Sequence, residues 1–158
     1  MSTPPGTGLT RRRSWVLTLA GLVGLTASAV LAVEKYQLLK NPFYVPSCSV
    51  NETLNCTQIM QSDQAALFGF PNPYLGLVGF TVVVTIGAAA LAGARFAPWF
   101  WRGLSAGIAM ALLLVLWLAY QSIAVIGALC PYCMLVWAAV ASLVVTVWPT
   151  MRVRADDT

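Results

Sequence analysis

The sequence predicts an all-α integral membrane protein: a four-transmembrane-helix bundle with a long extracytoplasmic loop that carries a short helix. Three observations predict it. Hydrophobic residues make up 59% of the 158-residue chain and charged residues only 9%, where a soluble domain carries roughly 25% charged residues. The apolar residues fall into four blocks, each of about the length that spans a bilayer. The arginines flank these blocks on one side only, as cytoplasmic loops do.

Residues 1–14 are expected to form a cytoplasmic tail, with Pro, Gly and Thr giving way to Arg11-Arg12-Arg13. Residues 15–33 run without a charge and are expected to form the first span. The charged start resembles a secretory leader, but the apolar run exceeds the ~7–15 residues of a leader core. Ala27-Ser28-Ala29 only approximates a cleavage site, so the segment is expected to stay as a helix. Residues 34–73 are polar and broken by Pro42, Pro46, Pro71 and Pro73, which reads as the outer loop. Within it, Asn55 or Thr57 can cap a short helix, on which Cys56, Ile59, Met60, Asp63 and Leu67 recur at helical spacing. The second span is 74–94, followed by a basic turn that contains Pro98. The third span, 104–129, is longer than a bilayer needs and is expected to tilt or project; Gln121 is its most polar member. The fourth is 131–148, and residues 149–158 close the chain as a second cytoplasmic tail.

This order puts Arg11, Arg12, Arg13, Arg95, Arg102, Arg152 and Arg154 on one side, against Lys35 and Lys40 on the other. Seven against two orients both termini to the cytoplasm and the loop outward, in a plasma or inner membrane. The net charge of +4 is therefore explained by topology and implies no nucleic-acid partner. Histidine is absent, which removes the usual neutral-pH proton shuttle and the commonest metal ligand. Glu34, Glu52, Asp63, Asp156 and Asp157 all lie outside the spans, so a buried carboxylate relay is not expected. Reactive chemistry is left to four cysteines.

All four fall on the outer side, where disulfides form and exchange. Cys130-Pro131-Tyr132-Cys133 is a C-x-x-C at a helix start, with proline where its missing N–H costs nothing. The free N–H groups there favour a thiolate, which is the nucleophile. Cys48 and Cys56 sit in the loop, in a stretch expected to be irregular and accessible. One pair at the membrane surface and one exposed, mobile pair suit electron transfer between an aqueous protein and a lipid-soluble carrier. A structural zinc is disfavoured, because these spacings are unusual for it. Static bridging is disfavoured too, because a C-x-x-C bridge constrains little chain.

The C-x7-C pair, Ser62, the run Ala65-Ala66-Leu67-Phe68-Gly69-Phe70-Pro71-Asn72-Pro73 and the terminal CPYC resemble the vitamin K epoxide reductase family. The likeness is to its bacterial form without a fused thioredoxin-like domain, over about residues 15–148. It implies a bundle around a quinone of the menaquinone, ubiquinone or vitamin K type. Cys133 would face the quinone, with Cys130 its partner in the resting disulfide. Cys56 would exchange with Cys130, and Cys48 would take electrons from a separate, extracytoplasmic, DsbA-like thioredoxin-fold protein. Asn72 would donate to a quinone carbonyl, with Ser62 nearby. One turn after Cys133, animal members carry tyrosine where this chain has Trp137, so epoxide reduction and anticoagulant sensitivity are not implied. Two rival readings fit the residues less well. A DsbB-type catalyst carries its C-x-x-C in the first outer loop rather than last, and a thiol-based heavy-metal transporter needs a polar step deeper in the membrane. Gly103 and Gly107 also form a G-x-x-x-G, a common helix-packing motif.

Overall fold

The computed structural model describes residues 8–155; the parts of the two expected tails before residue 8 and after residue 155 lie outside the described residues. Four helical segments are long and apolar enough to cross a membrane. These are α1 (Arg11–Lys40), α3 (Pro73–Leu91), α4 (Pro98–Tyr120) with a π-helical turn over Gln121–Ile126, and α5 (Pro131–Ala155). Between α1 and α3 lie the short α2 (Cys56–Gln61) and a 3-10 turn over Asp63–Ala66. Among the described residues there is no β-strand.

α1 and α5 overrun the expected spans, whereas α3 ends at Leu91, short of the expected 94, and the third span ends at Ile126, short of the expected 129. α1 begins at Arg11, inside the expected tail, and continues past Val33 to Lys40. Glu34 and Lys35 looked like the exit to water, yet each finds a partner in the folded loop and stays helical. Conversely, α2 stops at Gln61 because Ser62 is extended (φ −71°, ψ 152°). Asp63 and Leu67 therefore leave the face that Cys56, Ile59 and Met60 share. Pro98 starts α4 six residues before Leu104, at a position where a proline ring suits a helix.

Lipid is as apolar as leucine, so membrane helices gain by close van der Waals packing rather than by burial alone. α1 lies along both α3 and α5, and α4 lies on α5. The α1–α3 seam is built on glycine: the Phe80 ring sits against Gly24, and Thr18 against Gly87, where any Cβ would collide. Around it, Leu17, Phe80, Val83, Ile86, Val140 and Leu143 form the core. Leu19, Val78, Leu113 and Val145 point outward with more than half their surface exposed, as lipid-facing side chains do. α3 and α4 scarcely meet, and a cavity opens between them. Gly103 and Gly107 do not pack helices together; neither has a neighbour within 4 Å of a built Cβ, and both line this cavity.

The arginine ends of the helices lie together, with Gly8 beside Arg95. The opposite end carries the loop and all four cysteines. There Gly127 (φ 73°) closes the π-helical turn, its N–H bonded to Ser122 O at 2.9 Å. This left-handed conformation is one that glycine adopts at little cost. It turns the chain sharply toward Cys130.

Candidate active site

The loop after α1 is held from beneath by Glu34, which is 6% exposed. Its carboxylate accepts from Tyr44 Oη (2.8 Å), Ser47 Oγ (2.6 Å) and Ser47 N (3.3 Å). The bond it donates to Glu34 pushes the Tyr44 phenol above its ordinary pKa. Next to Ser47 comes Cys48. Thr57 N and Ser49 Oγ join at 3.1 Å, tying the residues after Cys48 to those after Cys56. Asn51 Oδ1 accepts from Thr53 N and Leu54 N, an Asx-type turn. Asn55 then caps α2 by accepting from Gln58 N at 3.2 Å, as expected.

Two backbone bonds fix the register between this loop and the start of α5. Asn55 N donates to Leu129 O (3.1 Å), and Leu129 N donates to Thr53 O (2.7 Å). The residue after each partner is a cysteine or leads to one, and Cys56 Sγ lies 3.0 Å from Cys130 Sγ. Cys48 and Cys56 form a disulfide, whereas Cys130 and Cys133 are free thiols. This differs from the resting Cys130–Cys133 disulfide that the family resemblance implied. Cys48 differs as well: it is 4% exposed, with Cys56 at 0% and Cys130 at 1%. The loop pair is therefore buried rather than accessible, because Leu31, Leu38, Met60 and Tyr44 close around it.

Cys130 sits at the N-terminus of α5. Its pKa is held below the ordinary thiol range, first by a hydrogen bond from the Cys133 side chain and also by backbone N–H groups of Cys133 and Tyr132, which outweigh burial. A thiol whose ionisation is favoured, next to a disulfide sulfur, is the geometry of thiol–disulfide exchange. The Sγ atoms of Cys48, Cys56 and Cys130 lie within 4.8 Å of one another. With two of them bonded to each other, only Cys130 retains a thiol to offer a metal.

Cys133, one turn further on, lines the cavity. Its volume is about 590 Å³, within the usual range for a small-molecule site. The wall is almost wholly apolar, with polar side chains concentrated at the cysteine end. All three residues assigned to it from sequence, Asn72, Ser62 and Trp137, line it. Ser62 Oγ donates to Ile59 O at 2.7 Å and so fastens the end of α2. Asn72 braces the loop before α3: Oδ1 accepts from Leu67 N (3.1 Å), and Nδ2 donates to Gln64 O (2.7 Å). That uses one of its two amide hydrogens. Sequence reasoning missed Glu34 and Lys35. Their signal was a charge at the end of an apolar run, which looks the same whether or not a partner waits above it.

A helical membrane bundle with a free dithiol against an apolar cavity and a disulfide one van der Waals contact away defines a membrane thiol oxidoreductase. The sequence model of the vitamin K epoxide reductase family matches residues 15–148, and the chain belongs to that family. No curated protein matches it.

Proposed function

We propose that the chain is a quinone-linked thiol oxidase that regenerates an extracytoplasmic thioredoxin-fold protein and so supports disulfide formation. The observation that carries this is the 3.0 Å contact from Cys56 Sγ to Cys130 Sγ. It joins a bonded pair under the loop to a dithiol whose Cys133 faces an apolar cavity of quinone size. The excess of arginine at the far end supports an outward-facing cysteine end.

The steps balance as follows. A thiolate of the reduced partner attacks Cys48, breaking the Cys48–Cys56 bond and freeing Cys56. The partner's second thiol displaces Cys48, so the partner leaves with a disulfide and the loop pair becomes a dithiol. Cys56 then attacks Cys130 of a Cys130–Cys133 disulfide, releasing Cys133; Cys48 in turn attacks Cys56 and frees Cys130. The result is the pairing of this structure, with the loop pair bonded and Cys130 and Cys133 reduced. Closing the cycle forms the Cys130–Cys133 bond as two electrons and two protons pass to a quinone, which becomes the hydroquinone. Asn72, Ser62 and Trp137 would surround the head group, with the second Asn72 amide hydrogen available to a carbonyl. Such a donor in a dry pocket typically contributes ~10²–10³ in rate. The buried loop pair implies that the partner must shift the loop to reach Cys48.

The test uses purified protein, a reduced thioredoxin-fold partner and a soluble quinone, with quinone absorbance followed over time. Cys133→Ala is expected to abolish turnover, and Cys130→Ser to stop after one exchange with the partner, leaving Cys48 and Cys56 as a reduced dithiol that passes no electrons to quinone. Full turnover in Cys133→Ala would falsify the reading.

A further inference from the structure

Among the described residues, one charged side chain stands at the cavity. α1 contributes Ser28, Leu31 and Lys35 to the wall, one helical stripe ending at the cysteine end. Lys35 is the only residue with a formal charge among the described residues lining the cavity. Its Nζ donates to Met60 O at 2.5 Å, leaving two further N–H hydrogens. The adjacent carboxylate does not serve it, since Glu34 is directed to Tyr44 and Ser47. Arginines gather at the other end, and the chain has no histidine. A cation drawn partly out of water with no counter-charge is costly. An anion forming beside it would offset that cost.

We propose that Lys35 is a catalytic residue of the quinone half-reaction, its ammonium donating to the quinone oxygen on which negative charge develops. The inference rests on the function proposed above and concerns the same cavity. In that half-reaction two S–H bonds are lost, the Cys130–Cys133 bond forms, and two electrons and two protons pass to the quinone. Wherever electrons run ahead of protons, an oxygen carries excess charge. A neutral donor such as Asn72 answers that charge less strongly than a cation, because hydrogen bonds with an ionised partner are roughly twice as strong. Lys35 keeps its own proton through the cycle; it lowers the barrier without being consumed. The bond to Met60 O also ties α1 to the end of α2. A purely structural role for Lys35 would therefore act on the loop disulfide as much as on the quinone.

The experiment separates those roles by measuring the half-reactions one at a time in the full-length protein. Pre-reduced protein is mixed with menadione to read quinone reduction. Oxidised protein is mixed with dithiothreitol to read exchange at Cys48–Cys56. Lys35→Met, which keeps the stem and removes the charge, is expected to slow quinone reduction about 10²-fold through kcat with KM little changed. Lys35→Arg should recover most of it, and loop exchange should match wild type in both variants. Binding of an ionised hydroxynaphthoquinone should weaken about tenfold or more in Lys35→Met, while menadione binding holds. Equal slowing of both half-reactions, or undiminished quinone reduction in Lys35→Met, overturns the proposal. If wild-type protein fails to reduce menadione, the proposed function itself falls; if only the variants behave as wild type, Lys35 alone does.

Discussion

At the residue scale, the cysteines were legible because their chemistry depends on spacing and position alone. A C-x-x-C beginning a helix sets two sulfurs within bonding reach beside free backbone N–H groups. Glu34 was not legible, because its meaning lies with Tyr44 and Ser47, ten and thirteen residues further on. The bonding state of the pairs was not legible either, since any of the four sulfurs near the Cys56–Cys130 contact can exchange. The Tyr44–Glu34 bond gives a prediction with a definite sign. The folded Tyr44 pKa is raised, so the bond's contribution is complete below the usual tyrosine value of ~10 and is lost as pH rises through the higher folded value. Exchange of the Cys48–Cys56 disulfide with a small thiol should therefore accelerate in alkali beyond what thiol ionisation explains. Tyr44→Phe should already be fast at neutral pH and lack that extra alkaline step. Glu34→Ala should go further, since it strips the acceptor from three donors, each bond to a charged group being worth about 1.5–3 kcal/mol. Protease sensitivity across residues 41–50 would report it; a loop as resistant as wild type would show that Glu34 does not hold it.

At the element scale, four apolar runs gave four helices, because only helices satisfy their own backbone in lipid. Their ends were harder. A helix continues past its apolar run wherever tertiary partners take up its charges, as α1 does to Lys40. The π-helical turn before Gly127 follows from the need to bring Leu129 beside Thr53 and Asn55, a contact across the chain that no local pattern encodes. The glycines divide in the same way. Gly24 and Gly107 look alike in sequence, but one supports the Phe80 ring and the other faces open space. Gly24→Val is expected to push Phe80 off the α1–α3 seam and destabilise the bundle by about 1–3 kcal/mol or more, the usual cost of overpacking. Thermal unfolding in detergent, compared with Gly107→Ala as a near-neutral control, would measure it. Equal stability of the two variants would mean that the seam does not depend on close approach.

At the scale of the whole molecule, the bundle is asymmetric: α1 binds α3 and α5 tightly, α5 binds α4, and the α3–α4 face is left loose. A four-helix bundle closed on every side would have to open for each quinone to arrive from the lipid. One with a thin side can pass it between two helices while the other three contacts hold the cysteines in register. Gly79 of α3 and Gly103 and Gly107 of α4 line that side with nothing within 4 Å of a built Cβ, so larger side chains fill space there without colliding. Gly107→Leu should therefore leave thermal stability and loop-disulfide exchange at wild-type levels. It should raise KM for a quinone bearing an isoprenoid tail far more than for menadione, because the tail must occupy the gap while the tailless ring need only traverse it. Steady-state kinetics with the two quinones on one preparation decides the matter. An equal rise for both would place the block in the head-group site, and no rise for either would mean that quinone reaches Cys133 by another face of the bundle.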